Sequence, residues 1–507
     1  MASQFSIWRI VGLATLTAAC VVGQASAAHA SSPDIDRLTA SQAAQAVCRG
    51  TLTSEQLARA YLQKAKSRPE LNAFVMLDET GALQTARKFD KQHRDGSKCP
   101  PLGGVPVLIK ANIQVHGLPN TDGTPALKNF IASTDAPVVA RLRAAGATIM
   151  GITTMHETAY GVTGYNPMYR YRGEIGVRNA YDSTRIAGGS SAGNGAALGA
   201  RMALAALGTD TGGSVRIPCS FNGCAALRPT VGRYPTEGVA PLSHTRDTVG
   251  PMAQSVSDLA LLDQVLAGGP TIEPADLKHI RLGIVPEFMA DQDDDTRTVT
   301  NAALEKLRAA GVTLVDVEMP RLKELDNEAE FPIVTYEVRD ELEAYLTRYH
   351  TGVDLKALVA MMASEDAAKL YQEQVLPRKI RGAGGGVTDL GPVYEHVMAV
   401  SRPKMQQLYS STFAQYHLDA LVFPTEPRVA PKAGSEASDM DAFQHIIQNT
   451  GPGSVVGIPG LTLPSGLGQG SGLPVGLEMD GPAGSDMHLL SIGLSVEKVL
   501  GRLPPPK

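Results

Sequence analysis

Residues 188–218, GGSSAGNGAALGARMALAALGTDTGGSVRIP, are dominated by glycine, alanine, serine, threonine and leucine. Side chains this small let backbone approach backbone, so the stretch belongs inside a closely packed fold. Its middle, 193–207, is expected to form a helix that packs tightly on its neighbours. The following GTDTGG, 208–213, reads as a turn whose glycines permit positive φ and leave amide N–H groups uncovered. Ser190 and Ser214 stand 24 positions apart in this block, and Lys110 ends an apolar run 80 residues before Ser190. Three such groups can supply a nucleophile, a proton relay and a base without any histidine.

Around the block, short apolar strands alternate with helices. Thr53-Ser54-Glu55-Gln56 is a capping box ahead of Leu57, Ala60, Tyr61 and Ala65, which predicts a helix there. A strand over 71–77, a helix over 82–93, a buried strand running through 101–109 directly into Lys110, a helix over 137–145 and a strand over 147–152 follow. The alternation predicts an α/β fold: a single large domain with a central mixed β-sheet covered by helices on both faces. The charge-richer region 271–386 should hold strands at 281–285 and 312–317 and a helix at 298–310. Its later helices, over about 320–400, read as a lid or side wall. Gly382-Ala-Gly-Gly-Gly386 reads as a flexible joint, and strands resume at 418–423, 461–463 and 474–478.

The net charge of −5 comes from interspersed acids and bases with no basic stripe, which counts against a nucleic-acid partner and suits a small neutral ligand. Near the N-terminus, Arg9, an apolar stretch over 10–22 and then Ala25-Ser26-Ala27 and Ala28-His29-Ala30 form a signal peptide pattern, cleaved after Ala27 or Ala30. That apolar core is shorter than the roughly 20 residues a bilayer span needs. The expectation is therefore an exported, periplasmic or secreted chain over 31–507 with no stable membrane insertion. Export permits disulfides. Cys48 and Cys99, which flank the helical N-terminal region, are the expected pair, while Cys219 and Cys224 read as buried small hydrophobes. No cysteine or histidine spacing suggests a metal, and no cofactor is expected. A homodimer is left open.

Gly188-Gly-Ser-Ser191, GTDTGGSVRIP, Leu227-Arg-Pro-Thr-Val-Gly-Arg233 and His244-Thr-Arg-Asp-Thr-Val-Gly-Pro251 together resemble the amidase signature family over about 103–269. A thinner echo follows at Leu421-Val-Phe-Pro-Thr-Glu426 and Leu473-Pro-Val-Gly-Leu477. Within the family, 233–247 is most similar to bacterial hydrolases of aryl and arylalkyl amides, of the indoleacetamide and mandelamide type. The resemblance implies a Ser-Ser-Lys triad that splits a carboxamide C–N bond through an acyl-enzyme. Ser214 would be the nucleophile, Ser190 the relay after a cis peptide bond, and Lys110 the base. Amide groups around Thr211, Gly212 and Gly213 would hold the oxyanion, with Asp210, Arg216 and Ser191 as supporting residues. The chemistry agrees, because a lysine can act as a base at neutral pH only when burial lowers its pKa, by up to about 3–5 units.

Other readings of the same residues stand beside this one. Gly189-Ser190-Ser191-Ala192-Gly193 fits G-x-S-x-G, which would make Ser191 the nucleophile of an α/β-hydrolase esterase. That elbow requires a buried strand before it, whereas 182–187 is polar, and no HGGG-type segment precedes it. A peptide amidase or a carbamate hydrolase would use the same triad, and a noncatalytic binding protein would keep only the fold. Ala111, Ile152, Thr154 and Ala192 depart from the family pattern without removing a catalytic atom. Tyr160, Tyr165, Met168, Tyr169 and Tyr171 either line an apolar acyl site or pack beneath the sheet. His244 reads as a packing or hydrogen-bonding residue.

Overall fold

The apolar runs assemble into one 11-stranded mixed sheet. In chain order the strands are β1 (Phe74–Leu77), β2 (Pro106–Lys110), β3 (Thr148–Thr153), β4 (Ala205–Asp210), β5 (Ala225–Arg228), β6 (Thr248–Ala253), β7 (Arg281–Ile284), β8 (Thr313–Asp316), β9 (Ala420–Pro424), β10 (Gly460–Leu467) and β11 (Pro474–Asp480). They lie side by side as β1-β3-β2-β4-β6-β5-β10-β11-β9-β7-β8. Parallel pairing joins β2 to β3 and β4, and β7 to β8 and β9. The remaining neighbours are antiparallel. Every residue of β2, β3, β4, β5, β6, β9 and β11 is buried, so both faces of the sheet are covered. This computed structural model describes residues 34–93, 99–381 and 386–506. Asp36–Lys507 form one compact unit. The leader expected over residues 1–30, and most of the glycine-rich joint, lie outside the described residues.

The helices that matter here are α1 (Ala40–Cys48), α2 (Ser54–Ser67), α3 (Glu79–His93), α4 (Pro137–Ala144), α5 (Ala192–Gly199), α6 (Arg216–Asn222), α7 (Val256–Ala267), α8 (Asp294–Ala309), α9 (Leu322–Arg348) and α10 (Met440–Ile447). The box at Thr53 caps α2 reciprocally with Gln56. The small residues of α5 allow close approach to α6: a Cβ on Gly195 would sit 2.6 Å from the Pro218 carbonyl oxygen. Among the described residues, no helix is long and apolar enough to cross a membrane.

Four expectations need correction. The helix expected over 193–207 is two elements, because α5 ends at Gly199, Arg201 takes φ 57°, and 205–210 is strand β4. That run is buried throughout, and a fully buried apolar run carries no periodicity that separates helix from strand. The turn expected from Gly208 therefore begins only after Asp210. Cys219 and Cys224 are joined, like Cys48 and Cys99, with Cα atoms 4.5 Å and 5.8 Å apart respectively. Gly223, at φ 69°, ends α6 and folds the chain back so that Cys224 N–H donates to the Cys219 carbonyl. The strand expected from residue 71 begins at Phe74, because Pro69–Leu71 form a 3-10 turn.

Candidate active site

Lys110 is the last residue of β2, the third strand from one edge of the sheet and flanked by β3 and β4, and is fully buried. Its Nζ lies 2.8 Å from Ser190 Oγ and 2.6 Å from Thr209 Oγ1. Asn112 Nδ2 donates to the same threonine oxygen at 3.1 Å. Thr209 is brought there because β4 runs beside β2 in register, Ile109 opposite Leu207. Burial lowers the Lys110 pKa from near 10.5 to about 7, against the carboxylates of Asp122, Asp210 and Asp247, which favour the ammonium form. Burial also pushes the Asp122 carboxyl up to about 8, although Lys110 pulls it the other way.

Ser190 follows a cis Gly189–Ser190 peptide, as the resemblance implies. It is buried, and its carbonyl accepts from His156 N–H at 3.1 Å. Ser191 N–H donates to the Ser214 carbonyl at 3.1 Å, which ties the segment carrying Ser190 to the turn carrying Ser214. The Ser191 hydroxyl points away from the cavity and donates to the Thr209 carbonyl at 3.2 Å. The esterase elbow thus has no exposed serine, whereas Ser214 lines the cavity.

The turn after β4 is held from behind. Asp210 accepts from Gly213 N–H at 2.8 Å and Val215 N–H at 3.2 Å, and both Arg216 and Arg228 clamp its carboxylate. Burial alone would raise that carboxyl, but the two guanidiniums together hold it well below the usual carboxylate range. Arg216 continues the network to Glu478 of β11, 2.8 Å away, and to the Thr450 carbonyl. Gly213 takes φ 137°, and a Cβ there would strike Thr450 Oγ1 at 2.3 Å, so only glycine fits.

This geometry redistributes the amide donors. Gly213 N–H, expected at the oxyanion, is committed to Asp210. Arg246 Nε holds the Thr211 carbonyl at 3.1 Å, so across that trans peptide the Gly212 N–H points the opposite way. Thr450 Oγ1 similarly holds the Gly212 carbonyl at 2.7 Å. The amide groups of Thr211, Gly212 and Ser214 have no protein acceptor among the described residues, and all three residues line the cavity.

The cavity offers about 40 Å³ to the centre of a water-sized sphere. Tyr160 and Val162 form one wall, Leu242 and Arg246 another, and Phe331 and Val334 of α9 with Phe443 and Ile447 of α10 close it. Phe331 and Phe443 pack as a tilted pair with centroids 5.4 Å apart. Of the aromatic run, Tyr160 reaches the cavity, whereas Tyr169, half-buried, does not line it. His244 is exposed at the rim, 3.0 Å from Glu341. Thr209, Arg246, Asp122, Glu330 and Thr450 were not singled out by the sequence. None carried a local signal: Thr209 stands in a segment whose sequence reads as a turn, and only the pairing of β4 with β2 brings it to Lys110.

A family model described as Amidase matches residues 56–490. A mandelamide hydrolase of Pseudomonas putida is 44% identical over 469 residues, 92% of this chain and 92% of the relative. An indoleacetamide hydrolase of Agrobacterium vitis is 36% identical over 453 residues, 88% of this chain and 93% of the relative. Among solved structures, the native peptide amidase from Stenotrophomonas maltophilia superimposes with a TM-score of 0.75 at 28% identity, covering 92% of this chain and 98% of that one. With most of its length matched at this level, the chain belongs to the amidase family.

Proposed function

We propose that the protein hydrolyses the carboxamide C–N bond of aryl and arylalkyl amides through an acyl-enzyme on Ser214. One observation carries the reading: a fully buried lysine amine 2.8 Å from the Ser190 hydroxyl, beside a turn whose unpaired amide groups and serine open into an apolar, aromatic-walled cavity. Neutral Lys110 has two N–H bonds and one lone pair. Donating to Thr209 Oγ1 leaves the lone pair for Ser190, whose proton moves to Nζ as Ser190 takes the proton of Ser214. The freed Ser214 oxygen bonds to the amide carbon, and the carbonyl electron pair moves to the oxygen, which the Gly212 and Ser214 amides stabilise. Each such donor lowers the barrier by roughly 2.7–4 kcal/mol. Collapse breaks the C–N bond as the departing nitrogen takes, through Ser190, the proton that Lys110 had received, and water then releases the acid by the same route.

The apolar walls favour an aromatic acyl group, and the similarity to hydrolases named for mandelamide and indoleacetamide supports the same class. The leader pattern supports action outside the cytoplasm, with a mature chain starting at Ala28 or Ser31. N-terminal sequencing of the exported protein checks that start. The activity is tested with arylacetamides, peptide amides, anilides and carbamates on wild type and Ser214→Ala. Release of ammonia from arylacetamides by wild type alone is expected; equal rates for both proteins would refute the assignment.

A further inference from the structure

Arg246 joins two parts of the site that the proposed reaction treats separately. It is 1% exposed, and its backbone is fixed from behind, because Arg228, which clamps Asp210, also donates from Nη2 to the Arg246 carbonyl at 2.8 Å. From that base the guanidinium forks. Nε donates to the Thr211 carbonyl at 3.1 Å, and Nη1 donates to the Glu330 carbonyl at 2.7 Å. The first bond sets the peptide plane that turns the Gly212 N–H into the cavity. Thr211 is steadied on its other side through its hydroxyl, which donates to Asp247 at 2.5 Å. The second bond reaches the backbone of α9 beside Phe331, which with Val334 of the same helix lines the cavity. The helix ladder is interrupted at this point: Pro332 has no N–H, so the Glu328 carbonyl loses its helical donor.

An unbroken series of contacts thus runs from the acyl wall to the oxyanion donor: Phe331, the Glu330 carbonyl, the Arg246 fork, the Thr211 carbonyl and the Gly212 N–H. We infer that Arg246 is a positioning residue that makes the oxyanion hole depend on how the acyl group seats α9. An acyl group that fills the cavity presses on Phe331 and Val334 and holds the Glu330 carbonyl against Nη1, so the fork keeps the Gly212 N–H on the oxyanion. A small acyl group leaves that wall unsupported, the fork follows α9, and the Gly212 donor is misaligned. Binding energy from the remote part of the substrate is then expressed in kcat rather than in KM. Shape matters here more than charge, because a planar guanidinium fixes two carbonyls at once and an ammonium does not. The inference rests on the amidase reading above.

The test measures kcat and KM for acetamide, butanamide and phenylacetamide with wild type, Arg246→Lys and Arg246→Met. In wild type, kcat should rise by about tenfold or more from acetamide to phenylacetamide, while KM changes less. In both variants kcat for phenylacetamide should fall by about 100-fold, the range for losing one oxyanion donor, with KM within about threefold of wild type. The rise across the three amides should shrink to about threefold or less, and the acid limb near pH 7 should stay in place, since Lys110 is untouched. A residue needed only for folding would lower the active fraction, and so reduce kcat by one factor for all three amides, leaving the rise intact. An Arg246→Lys enzyme with wild-type kcat, a loss confined to KM, or a rise that persists in the variants overturns the inference. Where neither variant folds, wild type decides: equal kcat for the three amides, with only KM changing, overturns it. If wild type releases ammonia from none of them, the amidase reading itself fails, an outcome distinct from turnover without coupling.

Discussion

The base is a lysine that must be neutral to act, so its titration should appear directly in the pH profile. An ordinary lysine ionises near 10.5, and in this fold Lys110 does so near 7, which corresponds to about 5 kcal/mol of bias against the ammonium form. Burial is the dominant cause. Because the deprotonated amine is the active form, kcat/KM should be lost as pH falls through 7, to about one-tenth at pH 6 and one-hundredth at pH 5. Asp122 sharpens the test. Burial holds its carboxyl protonated up to about 8, and once ionised it favours the Lys110 ammonium form. Because the acid limb near 7 lies below that, Asp122 is neutral where Lys110 titrates, and Asp122→Asn, neutral at every pH, should leave the limb in place to within about half a unit. The assay is ammonia release from phenylacetamide between pH 5 and 10 for wild type and Asp122→Asn. A flat profile down to pH 5, a limb above pH 9.5, or a limb that Asp122→Asn moves by a full unit or more would refute the reasoning.

Other perturbations separate anchoring groups from reacting ones. Asp210→Asn uncovers two buried guanidiniums and loosens the turn, so urea denaturation should show a loss of about 3–5 kcal/mol, with kcat falling in the folded fraction; an unchanged midpoint would contradict the anchoring role. Ser191→Ala removes a hydrogen bond to the Thr209 carbonyl and one from the Thr209 amide, neither of them to a reacting group, so kcat/KM should stay within about threefold at a cost of about 1 kcal/mol in stability; a thousandfold loss would restore the esterase reading.

The sheet class and most strands were legible because buried apolar runs bounded by glycine, proline and capping residues announce themselves in one dimension. The contact between Lys110 and Ser190 was legible only through motif resemblance, since nothing local relates two residues 80 positions apart. What escaped the sequence is what other segments impose. Residues 200–210 are equally apolar as helix or strand, and pairing with β2 and β6 decides for strand. Gly213 looked like an oxyanion donor, but Asp210 reaches its amide first. Arg246 meets the turn because β6 pairs with β4, Glu330 because α9 lines the same cavity, and Thr450 arrives from 236 residues beyond Ser214.

The central claim is that Ser214, activated through Ser190 by uncharged Lys110, carries the acyl group. Intact-mass and peptide-mapping mass spectrometry after reaction with phenylmethylsulfonyl fluoride tests it most directly. One adduct per chain, mapped to Ser214, absent from Ser214→Ala and formed far more slowly in Lys110→Ala, is the expected result. An adduct on Ser191, or labelling that is indifferent to Lys110, would contradict the account.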